Sequence, residues 1–387
     1  MPDRYDVIVA GLGAMGSATA AHLALRNQLV LGLERWTPGH PYSSSHGDSR
    51  IIREMYFEHP MYVPLVQRAY ELWTELGARA GAPLLHMTGG LMIGPEDGAL
   101  VSGSLRSARE HGLEHEVLSP AETTKRFAAF ALRDEYVAVY DPRAGYLDPE
   151  ACNAAHLDAA RRSGADLRFN EPVISWEPDG AGVRVATPKG SYTAGHFVLA
   201  VGARTRPLLK GLDIALEVER QAVFWLEPGM EDVRYEEPGF PIYAHEYAPR
   251  EICYGFPRLP RGVKASVMHS GEMVGDADAV RHEVINEEVG PLRRALGGVL
   301  PDLASSPVRE RDVCLFTNTP DRDFVVDFHP EHPPVLVSSV CSGHGFKFAS
   351  AIGEIQADLV MNGRCRFDLF PFRINRPALR PRVEAGD

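Results

Sequence analysis

Two groups of residues have types and spacings that suggest chemistry. The first is Gly11-x-Gly13-x-x-Gly16, set between an apolar run, Asp6–Ala10, and a helical stretch through Ala24. Glycines at this spacing permit a tight turn and let backbone N–H groups approach a pyrophosphate, whose charge is favoured at a helix N-terminus. Glu34 stands 23 positions beyond Gly11 and closes a second apolar run, Leu29–Glu34. An acid there binds ribose hydroxyls and disfavours a 2′-phosphate, so the set predicts a dinucleotide site. The second group is the lysines. Only five of the 40 basic residues are lysine: Lys125, Lys189, Lys210, Lys264 and Lys347. Arg cannot replace Lys where a compact or deprotonatable amine is required, so each survivor asks for a reason.

Cysteine and histidine say less. Cys152, Cys253, Cys314, Cys341 and Cys365 are scattered, with no CxxC pair and no disulfide-framework spacing. A free cysteine is by default a small buried apolar residue. Among the fifteen histidines no HxxxH or His/Cys cluster has convincing ligand spacing, and His329-Pro330-Glu331-His332 reads as a polar loop, so no metal site is expected.

The elements that must position these residues begin with strand, glycine turn, helix and strand, a βαβ unit that requires a parallel sheet covered by helices. An apolar stripe from Met61 to Leu76 predicts a helix over 60–80. Gly89–Gly94 reads as a turn and strand. Asp148 is placed to cap a helix that has Pro149 in its first turn. Strands follow at Val183–Ala186 and Phe197–Val201, the latter closed by Gly202. Residues 215–270 are rich in Pro, Tyr and Gly with short alternating strands, which predicts an antiparallel sheet. A helix is expected near 280–297. The chain then returns to a buried strand, Pro334–Ser338, a glycine turn at Gly343–Gly345 and a helix to about Met361.

The expected organisation is α/β. A Rossmann-like cofactor domain (1–85, 146–214 and 321–387) is interrupted by a largely antiparallel substrate domain (86–145 and 215–320). A nucleotide domain assembled from distant segments favours FAD over NAD, although spacing alone leaves the two open.

Composition narrows the partners. The chain has 387 residues, 44% hydrophobic and 24% charged, in the globular range. Lys+Arg 40 against Asp+Glu 52 gives −12, which argues against a nucleic-acid surface or a polybasic membrane anchor. No stretch approaches the ~20 apolar residues that span a bilayer. The opening Met1–Asp6 lacks a signal-peptide pattern, and a reducing, cytoplasmic setting is expected.

Three further segments carry a resemblance. They are Ser45-His46-Gly47-Asp48-Ser49-Arg50-Ile51-Ile52-Arg53, Val313–Asp321 with Phe324–Asp327, and Ser342-Gly343-His344-Gly345-Phe346-Lys347-Phe348. With the N-terminal fingerprint, their order and spacing resemble the monomeric sarcosine oxidase family and its N-methyl-amino-acid oxidase relatives. The resemblance runs from residue 5 to the Ile374–Pro377 tail. It implies a D-amino acid oxidase type fold and FAD attached through its 8α-methyl group to a cysteine that matches Cys314. Cys341, directly before the SGHGFK turn, is a rival position that departs from the family pattern and reads as packing. The resemblance also implies FAD contacts from Met15, Arg35, Ser45 and Val173. Gly202, Gly343, Gly345 and Phe346 are further implied contacts, beside the fingerprint glycines.

For the substrate, the resemblance matches Arg53 and Lys347 to a carboxylate clamp. A surface ion pair of Arg53 with Glu54 is the plain alternative. His46 and Arg50 match residues on the flavin face. Arg50 would stabilise charge on reduced flavin or bind a phosphate, and His46 serves there or simply as a hydrogen-bonding core residue. Lys264, in Gly262–Ser266, matches a lysine that promotes reaction with oxygen; otherwise it is an exposed strand residue. Tyr254 matches a pocket wall. A family histidine aligns with His269 only after a one-residue shift, and Phe316 stands where a relative has tyrosine. The implied activity is oxidation of sarcosine by molecular oxygen in a monomeric enzyme. The alternatives are larger or cyclic secondary amino acids, or a dehydrogenase with another acceptor.

Overall fold

The computed structural model describes residues 4–380; residues 1–3, half of the opening segment read above, and 381–387 lie outside the described residues. Two sheets share the work. The first has eight strands, and its centre is parallel. Tyr5–Ala10 pairs on one side with Val30–Leu33, which pairs with Asp166–Arg168. On its other side lies the second half of the long strand Gly190–Leu199, which pairs in parallel with His332–Ser339. The first half of that long strand carries an antiparallel hairpin, Ser175–Asp179 and Gly182–Thr187. A last strand, Val325–His329, pairs antiparallel with His332–Ser339.

Three helices cover one face of this sheet: Ala14–Ala24, Pro149–Arg162 and Ala349–Asn362. Small residues allow the first and third to touch. A Cβ on Gly353 would lie 2.6 Å from Ala18, so the two backbones pack directly. Asp148 caps the second helix by accepting the Ala151 N–H at 2.8 Å, with Pro149 in the first turn, as the sequence predicts.

The second sheet has nine strands, drawn from 90–141 and from 217–318. All its pairings are antiparallel except Ile242–Ala248 beside Gly90–Pro95. Glu217–Leu226 lies one strand in from an edge, between Val308–Asn318 and Gly262–Val267. Every residue of Gly262–Val267 is buried, because one face of the sheet packs on a helical layer and the other closes a cavity. A small third sheet, Arg50–Ile52 with Gly145–Leu147 and Leu85–His86, was not expected; its strands are too short to show a period.

The helix expected near 280–297 begins only at Gly290, after a 3₁₀ turn at Asn286–Val289. The buried Arg220 guanidinium donates to the carbonyls of Arg281 and Glu283 at 2.5 and 2.6 Å. It thereby captures the acceptors that a helix would need there. Val280 and Val284 are buried four apart, but in irregular backbone.

Candidate active site

Between the two sheets lies a cavity of about 660 Å³. One end is built by the glycine turn. Gly11 has φ +82°, and a Cβ there would meet the Ala200 carbonyl at 2.5 Å. A Cβ on Gly16 would lie 1.7 Å from Gly11 O, so this glycine serves the turn itself and does not line the cavity. Gly13 is different: its nearest neighbour is Ser45 Oγ at 3.4 Å, which leaves the cavity floor open above it. Gly13 also heads the helix without a side-chain cap, and no acid sits in the first turn, which suits an anion.

Glu34 lines the same end. Its carboxylate accepts the Leu12 N–H at 2.7 Å and the Trp36 N–H at 3.1 Å, which orients it and leaves lone pairs free. Met15, Arg35, Ser45, Val173 and Gly202 lie on the wall with it. Arg35 and Arg204 both grip Asp278, at 2.8 and 2.6 Å, so the segment Met273–Asp278 of the second sheet reaches over this end. The buried hydroxyls of Ser49, Thr317 and Ser339 line the cavity and have no hydrogen-bond partner in the protein. A helix N-terminus with no acid in its first turn, a carboxylate with lone pairs to spare and three unpartnered hydroxyls fit a dinucleotide such as FAD.

Toward the middle stands Cys314, on Val308–Asn318. Arg50 Nη2 donates to its Sγ at 3.2 Å, and His46 Nε2 lies 4.0 Å away. Burial alone would push this thiol up; Arg50, His46 and Lys264 outweigh it and bring the thiol down to about 6. Cys341 also lines the cavity, but burial holds its thiol above the ordinary value, and its Sγ accepts the Thr317 N–H at 3.3 Å. Only Cys314 is poised as a thiolate at neutral pH. His46 sits behind the wall rather than on it, with Nδ1 3.6 Å from Asp312. Arg50 is fixed by the carbonyls of Ser44, His46 and Ser49, at 2.9, 2.6 and 2.7 Å.

Lys264 is 1% exposed, which rules out an exposed strand residue. Its ammonium donates to the carbonyls of Gly47 and Ser49 and lies over the rings of Trp225 and Phe256. Burial and then Arg50 lower it to about 7. Tyr254 stands opposite Ser266 on the neighbouring strand, and burial pushes its phenol up to about 12.

Arg53 and Lys347 line the opposite part of the wall, with Gly343, Gly345 and Phe346 beside them. Arg53 is 4% exposed and its ion pair is with Glu58, not Glu54. Its Nη2 reaches both Glu58 oxygens, at 2.9 and 2.7 Å, and Nη1 donates to the Met55 carbonyl at 2.9 Å. Glu54 instead pairs with Arg143 at 3.1 Å. The Lys347 ammonium donates to the His344 carbonyl at 2.6 Å, and burial followed by Arg53 lowers it to about 7. Phe316 lines the cavity and offers no hydroxyl. His269 is not on the wall; it pairs with Glu219 at 3.1 Å and has φ +55°.

Sequence reasoning missed Glu58, Phe57 and His344, which also line the cavity. Glu58 is five residues from Arg53 in irregular chain, a spacing that no helix or strand period singles out.

Known proteins resemble this chain along nearly its whole length. The family of FAD-dependent oxidoreductases matches residues 6–359. A monomeric sarcosine oxidase of Streptomyces avermitilis is 41% identical, over 98% of this chain and all of that one. An N-methyl-L-tryptophan oxidase of Yersinia pestis is 33% identical, over 96% of this chain and 99% of that one. Among solved structures, NikD, an unusual amino acid oxidase essential for nikkomycin biosynthesis, superposes with a TM-score of 0.81 at 27% identity, covering 96% of this chain and 98% of that one. Those matches span nearly the whole chain, and both the glycine turn and the cation-lined wall fall within them: this is a member of the FAD-dependent oxidoreductases and, within them, of the monomeric sarcosine oxidase family.

Proposed function

We propose that the protein oxidises the N-methyl group of a secondary amino acid, with sarcosine as the preferred substrate: sarcosine, dioxygen and water give glycine, formaldehyde and hydrogen peroxide. One observation carries the reading. Arg53 and Lys347, two buried cations, share a cavity wall with the dinucleotide fingerprint, so a small carboxylate can be held beside the cofactor. The sarcosine oxidases and N-methyltryptophan oxidase among the relatives support it.

FAD, when bound, supplies the two-electron acceptor. The chain's residues do the rest. Arg53 and Lys347 bind the carboxylate by charge-assisted hydrogen bonds. Tyr254 walls the amine side. Lys264 presents a fixed ammonium where negative charge forms on oxygen, with Arg50 supporting charge on the cofactor and His46 holding Cys314 in its thiolate form. Cys314 is the residue proposed to carry the thioether to the flavin 8α-methyl, a two-electron oxidation with dioxygen as acceptor. The remaining cofactor contacts are assigned to Gly11, Gly13, Met15, Glu34, Arg35, Ser45, Val173, Gly202, Gly343, Gly345 and Phe346. The enzyme acts as a single chain, as the names of its relatives have it.

A second reading has its own observation. Ile51, Phe57, Ile252, Phe256 and Met268 give the cavity an apolar wall, which would take the side chain of a larger N-methyl amino acid. The test is oxygen consumption by the holoenzyme, without added acceptor, over a panel of sarcosine, N-methyl amino acids with larger side chains, and proline. Fastest turnover of sarcosine with formaldehyde release supports the first reading. Preference for a bulky substrate moves the assignment to the second, and reduction without oxygen uptake overturns the oxidase.

A further inference from the structure

The carboxylate clamp poses an electrostatic problem: two cations stand on one buried wall, and Arg53, itself paired with Glu58, makes the Lys347 charge harder to keep. One residue touches both. The guanidinium carbon of Arg53 lies over the Tyr56 ring at 4.4 Å, and Lys347 Nζ lies over the same ring at 5.3 Å. Tyr56 is fully buried and does not line the cavity, so it meets no substrate. A ring face is electronegative and holds cations more firmly where water is excluded.

The ring cannot easily turn away. His344 Nε2 is 3.0 Å from the Arg322 carbonyl, which only accepts, so Nε2 carries the proton. Burial lowers His344 to about 4, so the imidazole is neutral and Nδ1 is left as an acceptor. Tyr56 therefore donates its hydroxyl to His344 Nδ1, at 2.5 Å. Its ring also packs on Tyr62 and Phe348, with centroids 4.7 and 5.4 Å away. Lys347 returns to the same turn, since its ammonium donates to the His344 carbonyl.

We propose that Tyr56 is a positioning residue for the clamp: its ring face, locked by the hydroxyl bond to His344, holds Arg53 and Lys347 together so that both can meet one carboxylate. This rests on the carboxylate-clamp reading above. It assigns the work to the π face rather than to the hydroxyl, which serves as an anchor.

The experiment titrates holoenzyme with acetate, a bare carboxylate, and follows the absorbance of the bound FAD. Tyr56→Leu should raise the acetate Kd tenfold or more. For the amino-acid substrate, KM should rise by a similar factor and kcat by much less. Tyr56→Phe keeps the ring and should stay within about threefold of wild type. If Tyr56→Leu does not accumulate, Tyr56→Met keeps the volume without the π face and should behave as stated for leucine. Wild-type affinity in a folded leucine or methionine variant overturns the proposal. Equal damage from phenylalanine and leucine also overturns it, because the hydroxyl would then be the working part. A wild-type enzyme that ignores acetate overturns the clamp reading itself, and this proposal with it.

Discussion

Glu58 occupies the hydrogen-bonding positions that a substrate carboxylate needs. A guanidinium has five N–H donors, and both of its bidentate edges use Nη2. In this structure Nη2 is committed to the two Glu58 oxygens, while Nη1 serves the Met55 carbonyl. Arg53, Lys347 and His344 together hold the Glu58 carboxyl below its usual range against the opposing effect of burial, so it is an anion at neutral pH. A substrate carboxylate must therefore displace an anion from the clamp. In Glu58→Gln the amide oxygen can keep one neutral-acceptor bond to Nη2. Hydrogen bonds to a charged partner contribute about 1.5–3 kcal/mol and neutral ones about 1, so roughly 1.4 kcal/mol of competition is removed. That corresponds to about a tenfold lower Kd for acetate. Stability should fall, but by less than the ~3–5 kcal/mol for stripping a buried partner, because Arg53 keeps the Met55 carbonyl and the rings of Tyr56 and Phe57. The assay is an absorbance titration of holoenzyme with acetate at neutral pH, with melting curves as control. Unchanged or weaker acetate binding in a folded Glu58→Gln enzyme would refute the reasoning and make Glu58 a support for Arg53 rather than its competitor.

Four further outcomes follow from the same geometry. Lys347 is lowered to about 7 by burial and by Arg53, so its ammonium is present below that pH and lost above it; acetate Kd should rise up to tenfold per pH unit above about 7, and a flat Kd from pH 6 to 9 would contradict this. Cys314→Ser should abolish the fluorescent flavin band on a denaturing gel while Cys341→Ser keeps it; flavin mapped to a Cys341 peptide would reverse the assignment. Lys264→Met removes a fixed cation from the oxygen side, and reoxidation of the reduced enzyme by dioxygen, followed by stopped flow, should slow by about 10²–10³-fold, the range for a preorganised electrostatic donor; an unchanged rate would remove its assigned role. Gly13→Ala should lose FAD yet melt, as apoprotein, near the wild-type apoprotein, whereas Gly16→Ala, whose Cβ would lie 1.7 Å from Gly11 O, should melt lower even as apoprotein; equal melting temperatures of the two variant apoproteins would contradict the division of labour within the turn.

What the sequence disclosed was whatever is local along the chain. The glycine turn, its flanking strands and Glu34 form one contiguous βαβ unit, whose hydrogen bonds close within about thirty residues, so spacing carries the geometry. The clamp has no such signature. Arg50 lies on a strand of the small third sheet and Arg53 in the irregular chain just after it, Lys264 comes from an inner strand of the second sheet, and Lys347 from a turn after the last parallel strand. Only tertiary packing brings them to one cavity, so their roles came from family resemblance and not from period or spacing. Lys264 shows the limit of reasoning from alternation. Gly262–Val267 is buried on both faces, one against helices and one against the cavity, so the inside-outside rule for a half-solvated strand does not apply. The missing helix near 280 shows the complementary limit. Val280 and Val284 have helical spacing, but the Arg220 guanidinium binds the carbonyls of Arg281 and Glu283, and a side chain sixty residues away decides the local conformation. Glu58 combines both problems: it is near Arg53 in sequence, yet at a spacing that means nothing until the chain between them is bent. Its charge then sets whether the clamp is open to a substrate.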